Sequence, residues 1–262
     1  MSGLQLRNLQ VGHDDNWVLS DVSVDAANGE LCAVVGENGA GKSTLLDVIA
    51  GLRRPHTGSA RLGGFDLQAL APAERATRIS SLGQNPTLWL QQNVRAYIGQ
   101  GLVAQRGPGR LLDAHAHDVI EKIASEFSIQ HLLQRSTGQV SGGELRRIQI
   151  ARCLVNDQVD AYVLDEPLSG VDIRHQGAVC TALKRRAERG HFVCFSVHDL
   201  GCAYDFANRV LALKKGRLIA DGPPAEALTP AKIEEIFGIE GELDAGAQGR
   251  QSVLRLARSP AQ

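Results

Sequence analysis

Two apolar periodicities divide this 262-residue chain into candidate strands and helices. Three runs have strand length: Leu31-Cys32-Ala33-Val34-Val35, Ala161-Tyr162-Val163-Leu164 and Phe192-Val193-Cys194-Phe195-Ser196-Val197. Segments this short and this apolar suit strands buried on both faces. The alternation of Leu4, Leu6 and Leu9 predicts strands at the N-terminal end. Helical spacing appears elsewhere. Leu45 to Ala50 is helix-like, and Val119, Ile123 and Phe127 recur at i, i+4 and i+8. Leu145, Ile148, Ala151 and Leu154 are spaced for one face of an amphipathic helix. Gly58 to Gly64 predicts a short hairpin, Lys232 to Phe237 a helix, and Ser252 to Leu256 a last strand. The stretch from about Pro86 to Asp157 changes character, with a soft Arg106-Gly107-Pro108-Gly109 linker and then helical periodicity. No internal repeat is apparent. No apolar run approaches the roughly 18 residues that a membrane span requires, and no signal peptide opens the chain. Any membrane role is therefore expected to come through a partner.

Between the first apolar run and the Leu45 helix lies Gly36-Glu37-Asn38-Gly39-Ala40-Gly41-Lys42-Ser43-Thr44. Strand, glycine-rich loop, lysine, hydroxyl and helix form the phosphate-cradling order of a P-loop. Its glycines let successive backbone N–H groups curl around a phosphate, and the helix N-terminus adds partial positive charge. Lys42 would neutralise β/γ oxygens and the Ser43 hydroxyl would ligate Mg²⁺. A glycine turn that merely caps a helix is the plainer alternative; the flanking strand and helix favour nucleoside triphosphate.

Three further segments supply partners for that loop. The Ala161 run ends in Asp165-Glu166-Pro167. Asp165 would hold Mg²⁺, directly or through water, and Glu166 would polarise the attacking water. The alternative is a strand that simply ends in a polar turn. Val140-Ser141-Gly142-Gly143-Glu144 opens the Leu145 helix and satisfies the S-x-x-E capping box. A serine and two glycines at a helix N-terminus also expose N–H groups to an anion. The Phe192 run ends in His198-Asp199, where a histidine at a strand end can hydrogen-bond a γ-phosphate and hold water.

With the Asp-Glu strand shortly downstream, the Ser141–Glu144 motif resembles the signature of the ATP-binding cassette (ABC) family, and the remaining motifs fall in that family's order. Ser80-Ser81-Leu82-Gly83-Gln84 resembles its Q-loop, whose glutamine approaches Mg²⁺ and the attacking water. Ser169-Gly170-Val171-Asp172 resembles the D-loop at its dimer interface, and His198 its H-loop. The resemblance implies an α/β fold: a P-loop NTPase with an ABC-type antiparallel β subdomain and an inserted α-helical subdomain. Residues 1–240 would form the nucleotide-binding domain, with core 1–84 and 159–240 and the helical subdomain at about 85–158. Residues 241–262 would be a C-terminal extension. Two departures stand out. Val140 and Glu144 replace the family's usual leucine and glutamine, and no Tyr or Trp lies near Val11-Gly12-His13, where an aromatic commonly stacks on adenine. Trp17 comes a few residues late and is expected to be a packing residue.

The family's geometry implies a head-to-tail homodimer, each signature closing on the ATP held by the partner's P-loop. It also implies two membrane permease subunits and, indirectly, a periplasmic binding protein, with the chain at the cytoplasmic face of the inner membrane. Coupling to the permease is expected at Asn85-Pro86-Thr87-Leu88-Trp89-Leu90, after Gln84. Soluble ABC ATPases acting on DNA or ribosomes carry coiled-coil insertions or two cassettes, which this chain lacks. A kinase or GTPase conflicts with the signature. Leu70 to Ala76, Val171 to Gln176, and Leu228-Thr229-Pro230 through Ile239 resemble importers of iron–siderophores, haem and cobalamin. Arg135 to Glu144 is especially similar to the cobalamin importers' ATPase, and zinc/manganese importers are the runner-up.

Composition adds limits rather than chemistry. A chain of this length can bury a substantial core. A net charge of −1 offers no electrostatic case for nucleic acid as the main partner. Cys32, Cys153, Cys180, Cys194 and Cys202 form no CxxC pair, and most lie in apolar runs. They are expected to be buried thiols of a reducing cytosol.

Overall fold

Strand β3 (Leu31–Gly36) is buried along its whole length and faces two different cores. Leu31, Ala33 and Val35 pack with the helices, whereas Cys32 and Val34 pack toward the N-terminal strands. Period-two alternation in a wholly apolar run thus serves two cores at once. Each large aliphatic side chain so buried contributes on the order of 1.5–3 kcal/mol. The computed structural model describes residues 3–13, 16–84, 91–106, 113–244 and 252–256.

Around β3 runs a six-stranded sheet. It comprises β6 (Ile79–Leu82), β7 (Ala161–Leu164), β8 (Phe192–Ser196), β9 (Arg209–Lys214) and β10 (Arg217–Gly222), in the order β10-β9-β3-β8-β7-β6. All its pairings are parallel except β9 with β10. A parallel sheet delivers every strand's C-terminal end to one edge, and there the loops after β3, β6, β7 and β8 converge.

One face of this sheet is covered by an antiparallel sheet of β1 (Leu4–His13), β2 (Asn16–Ala26), β4 (Thr57–Leu62) and β5 (Phe65–Asp66), in the order β2-β1-β4-β5. Leu4, Leu6 and Leu9 are all fully buried, although strict alternation would send Leu9 outward. Asn8, at φ 46°, lies within a register shift between Leu6 and Leu9 that turns Leu9 back inward. The hairpin expected over Gly58–Gly64 lies slightly later. Its turn is Gly63-Gly64, both at positive φ, and its second strand is β5.

Between β6 and β7 the described residues are mainly helical. They include α3 (Val94–Gly99), α4 (Val103–Arg106), α5 (Ala114–Glu126) and α6 (Gly142–Leu154), following α1 (Lys42–Ile49) and α2 (Pro72–Arg78). Asn93 and Asp113 cap α3 and α5 by accepting from the backbone N–H of Ala96 and Ala116. Of the expected apolar face of α6, Ile148, Ala151 and Leu154 are buried, but burial extends beyond that face. Leu145 is only partly buried, while Arg146, Arg147, Gln149 and Ile150 are buried beside Ile148 and Ala151. α6 is enclosed by α3, α5 and β6, and its arginines satisfy loop carbonyls, so a polar face need not mean a wet one.

The C-terminal half continues with α7 (Ile173–Glu188), α8 (Leu200–Phe206), α9 (Pro224–Ala227) and α10 (Pro230–Phe237). A two-stranded sheet of β11 (Gly241–Asp244) and β12 (Val253–Leu256) closes the described chain. All five cysteines are buried and free. Gly107-Pro108-Gly109 and the coupling segment Asn85–Leu90 lie outside the described residues. Among those described, no helix is long and apolar enough to cross a membrane.

Candidate functional site

At the C-terminal edge of β3 the chain turns into α1 through three glycines at positive φ: Gly36 (147°), Gly39 (80°) and Gly41 (103°). Each has a separate reason. A Cβ on Gly36 would lie 2.2 Å from the Leu213 carbonyl oxygen, and one on Gly41 would lie 2.7 Å from Leu19 Cδ2. At Gly39 nothing lies within 4 Å, so there the positive φ and not crowding favours glycine. Lys42 is only 6% exposed, and its Nζ donates to the carbonyls of Gly36 (2.8 Å) and Glu37 (3.0 Å). Burial draws its ammonium below the usual lysine range, while Glu166 and Asp165 pull it back up.

Val18, Asn38, Gly39, Gly41, Lys42, Ser43, Thr44, Gln84, Glu166 and His198 line one cavity of about 490 Å³. The loop after β3 contributes most of it, the end of β6 brings Gln84, β7 brings Glu166 and β8 brings His198. Gly36 and Ala40 lie behind that lining, and Glu37 contributes a carbonyl to Lys42. Val18 forms part of the wall. Trp17 packs edge-on against His56, with ring centroids 5.3 Å apart, and does not line the cavity.

The two acidic residues after β7 occupy different environments. Asp165 is 7% exposed, and its Oδ1 accepts from Ser196 Oγ at 2.5 Å. Glu166 has φ 46°, a conformation that costs a non-glycine residue of order 1–3 kcal/mol unless its surroundings enforce it. Here they do. Glu166 N donates to Ser196 Oγ at 2.7 Å, and Arg146 Nη2 donates to the Glu166 carbonyl at 2.8 Å and to that of Asp165 at 2.9 Å. The turned backbone presents the Glu166 carboxylate to the cavity, where His198 Nε2 lies 2.8 Å from Oε1. An ionised carboxylate only accepts, so Nε2 carries the hydrogen in this contact. Burial pushes the Glu166 carboxyl up, but hydrogen bonds from His198 and Gln84 and the charges of His198 and Lys42 outweigh it. The group therefore lies below the ordinary glutamate range.

Ser43, Gln84 and Asp165 offer hard oxygen donors, the ligand type that Mg²⁺ selects. Among the described residues no group of three His, Cys, Asp or Glu side chains forms a metal cage. The three oxygen donors named fit an ion that shares its sphere with phosphate and water oxygens.

Ser141, Gly142, Gly143, Glu144 and Asp172 are not part of the cavity wall. Ser141 caps α6 in a complete capping box: its Oγ accepts from Glu144 N at 3.3 Å, while Glu144 Oε2 accepts from Ser141 N at 2.8 Å. The bond from Ser141 N and a second from Ser141 Oγ to the same Oε2, at 2.9 Å, hold the Glu144 carboxyl below its usual range. A Cβ on Gly143 would approach the Gly170 carbonyl to 3.1 Å, which brings the signature against the loop before α7. Asp172 caps α7 and pairs with Arg174, which lowers its carboxyl to about 2.

Arg146 and Ser196 are the functional residues that sequence reasoning missed. Arg146 Nη1 also reaches the carbonyls of Gly83 (3.4 Å) and Gln84 (3.3 Å), so one guanidinium ties α6 to the loops after β6 and β7. The lone hydroxyl inside the apolar Phe192–Val197 run was the available signal for Ser196. Nothing local distinguished Arg146 from its neighbours.

The family described as ABC transporter matches residues 19–169. Hemin import ATP-binding protein HmuV of Bordetella parapertussis is 37% identical over 264 residues, covering 97% of this chain and 99% of that protein. HmuV of Thermobifida fusca is 34% identical over 242 residues, covering 92% of this chain and 84% of that protein. In fold, the chain is similar to a solved structure described as an inward-facing transporter of metal-chelate type. That match has a TM-score of 0.81 at 23% identity and covers 98% of each chain.

Proposed function

Because the chain belongs to the ABC transporter family, we propose that it is the ATP-hydrolysing subunit of a bacterial importer for an iron chelate, with haem the favoured cargo. The observation that carries the hydrolytic part is the Glu166–His198 contact on the wall of the P-loop cavity. Backbone N–H groups of residues 38–44 and the Lys42 ammonium hold the phosphates. Glu166, ionised at neutral pH, orients and polarises the attacking water, and His198 keeps that carboxylate in place and faces the γ-phosphate. Ser43, Gln84 and Asp165 would hold Mg²⁺, which when bound neutralises charge developing on the phosphate oxygens. Ser196 and Arg146 are positioning residues: Arg146 holds the carbonyls of the Asp165–Glu166 turn, and Ser196 holds the Glu166 N–H and the Asp165 carboxylate.

The cargo assignment is supported by relatives named for hemin import that are similar over nearly the whole chain. In this proposal two copies form a homodimer beneath two permease subunits, on the cytoplasmic face of the membrane and fed by a periplasmic binding protein. Cobalamin and zinc or manganese are the competing cargoes, and uptake by the reconstituted transporter separates them. Glu166→Gln tests the chemistry. It should lower ATP turnover at least about a hundredfold while ATP still binds and holds a dimer on gel filtration. Near-normal turnover would remove Glu166 from the role of base.

A further inference from the structure

The two-stranded sheet of β11 and β12 grips the helix that follows His198. Leu243 and Leu254, paired in register, pack inward against the core, while Val253 and Leu256 stay exposed. Just before β12, Ser252 is 3% exposed, and both its backbone N (2.8 Å) and its Oγ (2.5 Å) donate to the carboxylate of Asp205 on α8. The Ser252 carbonyl lies directly over Gly201, where an added Cβ would come within 1.9 Å of the carbonyl oxygen. Gly201 has no positive φ, so only this close approach demands glycine. Its N–H is held by Asp199 Oδ1 at 2.9 Å, the residue next to His198.

We propose that the C-terminal sheet is a positioning element for hydrolysis: Ser252, seated on Gly201 and bonded to Asp205, fixes the first turn of α8 and thereby the placement of His198 against Glu166. This depends on His198 acting at the γ-phosphate and water, as proposed above. Without the clamp, α8 is anchored at its start by Asp199 and by its apolar face, and the placement of the half-exposed His198 side chain then rests on that anchor and on its contact with Glu166. A histidine displaced by about 1 Å loses much of its effect on the reacting groups.

The test uses full-length Gly201→Ala, Asp205→Ala and His198→Ala, with hydrogen exchange at β12 reporting release of the sheet. Gly201→Ala and Asp205→Ala should each release β12 and lower kcat about tenfold, with ATP affinity within about twofold of the parent. The double variant should be no worse than the poorer single one, because the sheet is released only once. On a His198→Ala background, Gly201→Ala should cause no further loss. A released sheet with unchanged kcat overturns the proposal, as does unaltered β12 protection in both variants or an additive loss on the His198→Ala background. If His198→Ala itself keeps full turnover, the role given to His198 fails first, and that outcome is distinct from the others.

Discussion

Glu166 stands at a φ of 46° with its N–H and carbonyl both held, and its carboxylate is thereby pointed at His198. Its lowered pKa has a sign that can be followed. The folded value lies below the unfolded one, so the ionised group adds stability above the unfolded value and loses it as pH falls through the folded one. His198→Ala removes the leading stabilising contact, so the carboxyl should titrate higher. The acid limb of the ATPase pH profile should then move toward neutral pH in His198→Ala relative to the parent. An acid limb that stays put while turnover falls would mean that His198 does not tune this carboxylate.

At the scale of elements, α6 joins the signature to the hydrolytic loops. Its N-terminus is closed by Ser141 and Glu144, and its first full turn carries Arg146 to the carbonyls of residues 83, 84, 165 and 166. One guanidinium thus ties the helix that opens at the signature to the loops carrying Gln84 and Glu166. Ser141→Ala removes the cap acceptor and should cost about 1 kcal/mol of stability by denaturant unfolding. Glu144→Gln keeps an acceptor for Ser141 N and loses only the charge at the helix start. It should cost less than about 1 kcal/mol and flatten the acid dependence of unfolding, because the Glu144 carboxyl is held low in the folded chain. Equal losses in the two variants would mean that the charge contributes as much as the cap geometry at this helix end.

In the whole molecule, the signature residues are not among those lining the P-loop cavity. The proposed head-to-tail dimer brings them together as two composite sites. Ser141→Arg should then abolish hydrolysis while leaving nucleotide binding by the monomer nearly intact. Mixed with Lys42→Ala subunits, it should regain at most one competent site per heterodimer, measured as ATPase against mixing ratio. Loss of ATP affinity in monomeric Ser141→Arg would place the signature in its own subunit's pocket and sink the shared-site arrangement.

The strand, loop and helix around Lys42 were legible in the sequence because their signals are local: an apolar run, glycines at turn positions and a helix start within about twenty residues. Asp165, Glu166 and His198 were legible for the same reason, each ending an apolar strand. The roles of Arg146 and Ser196 were decided only by tertiary structure. Ser196 meets Asp165 and Glu166 because β8 pairs beside β7 in parallel register, and Arg146 meets four loop carbonyls because α6 packs against β6. The same holds for Ser252, whose contact with Gly201 joins segments about fifty residues apart. Periodicity states which side of an element is apolar. It does not state which buried polar group will find a partner, since that depends on where distant elements dock.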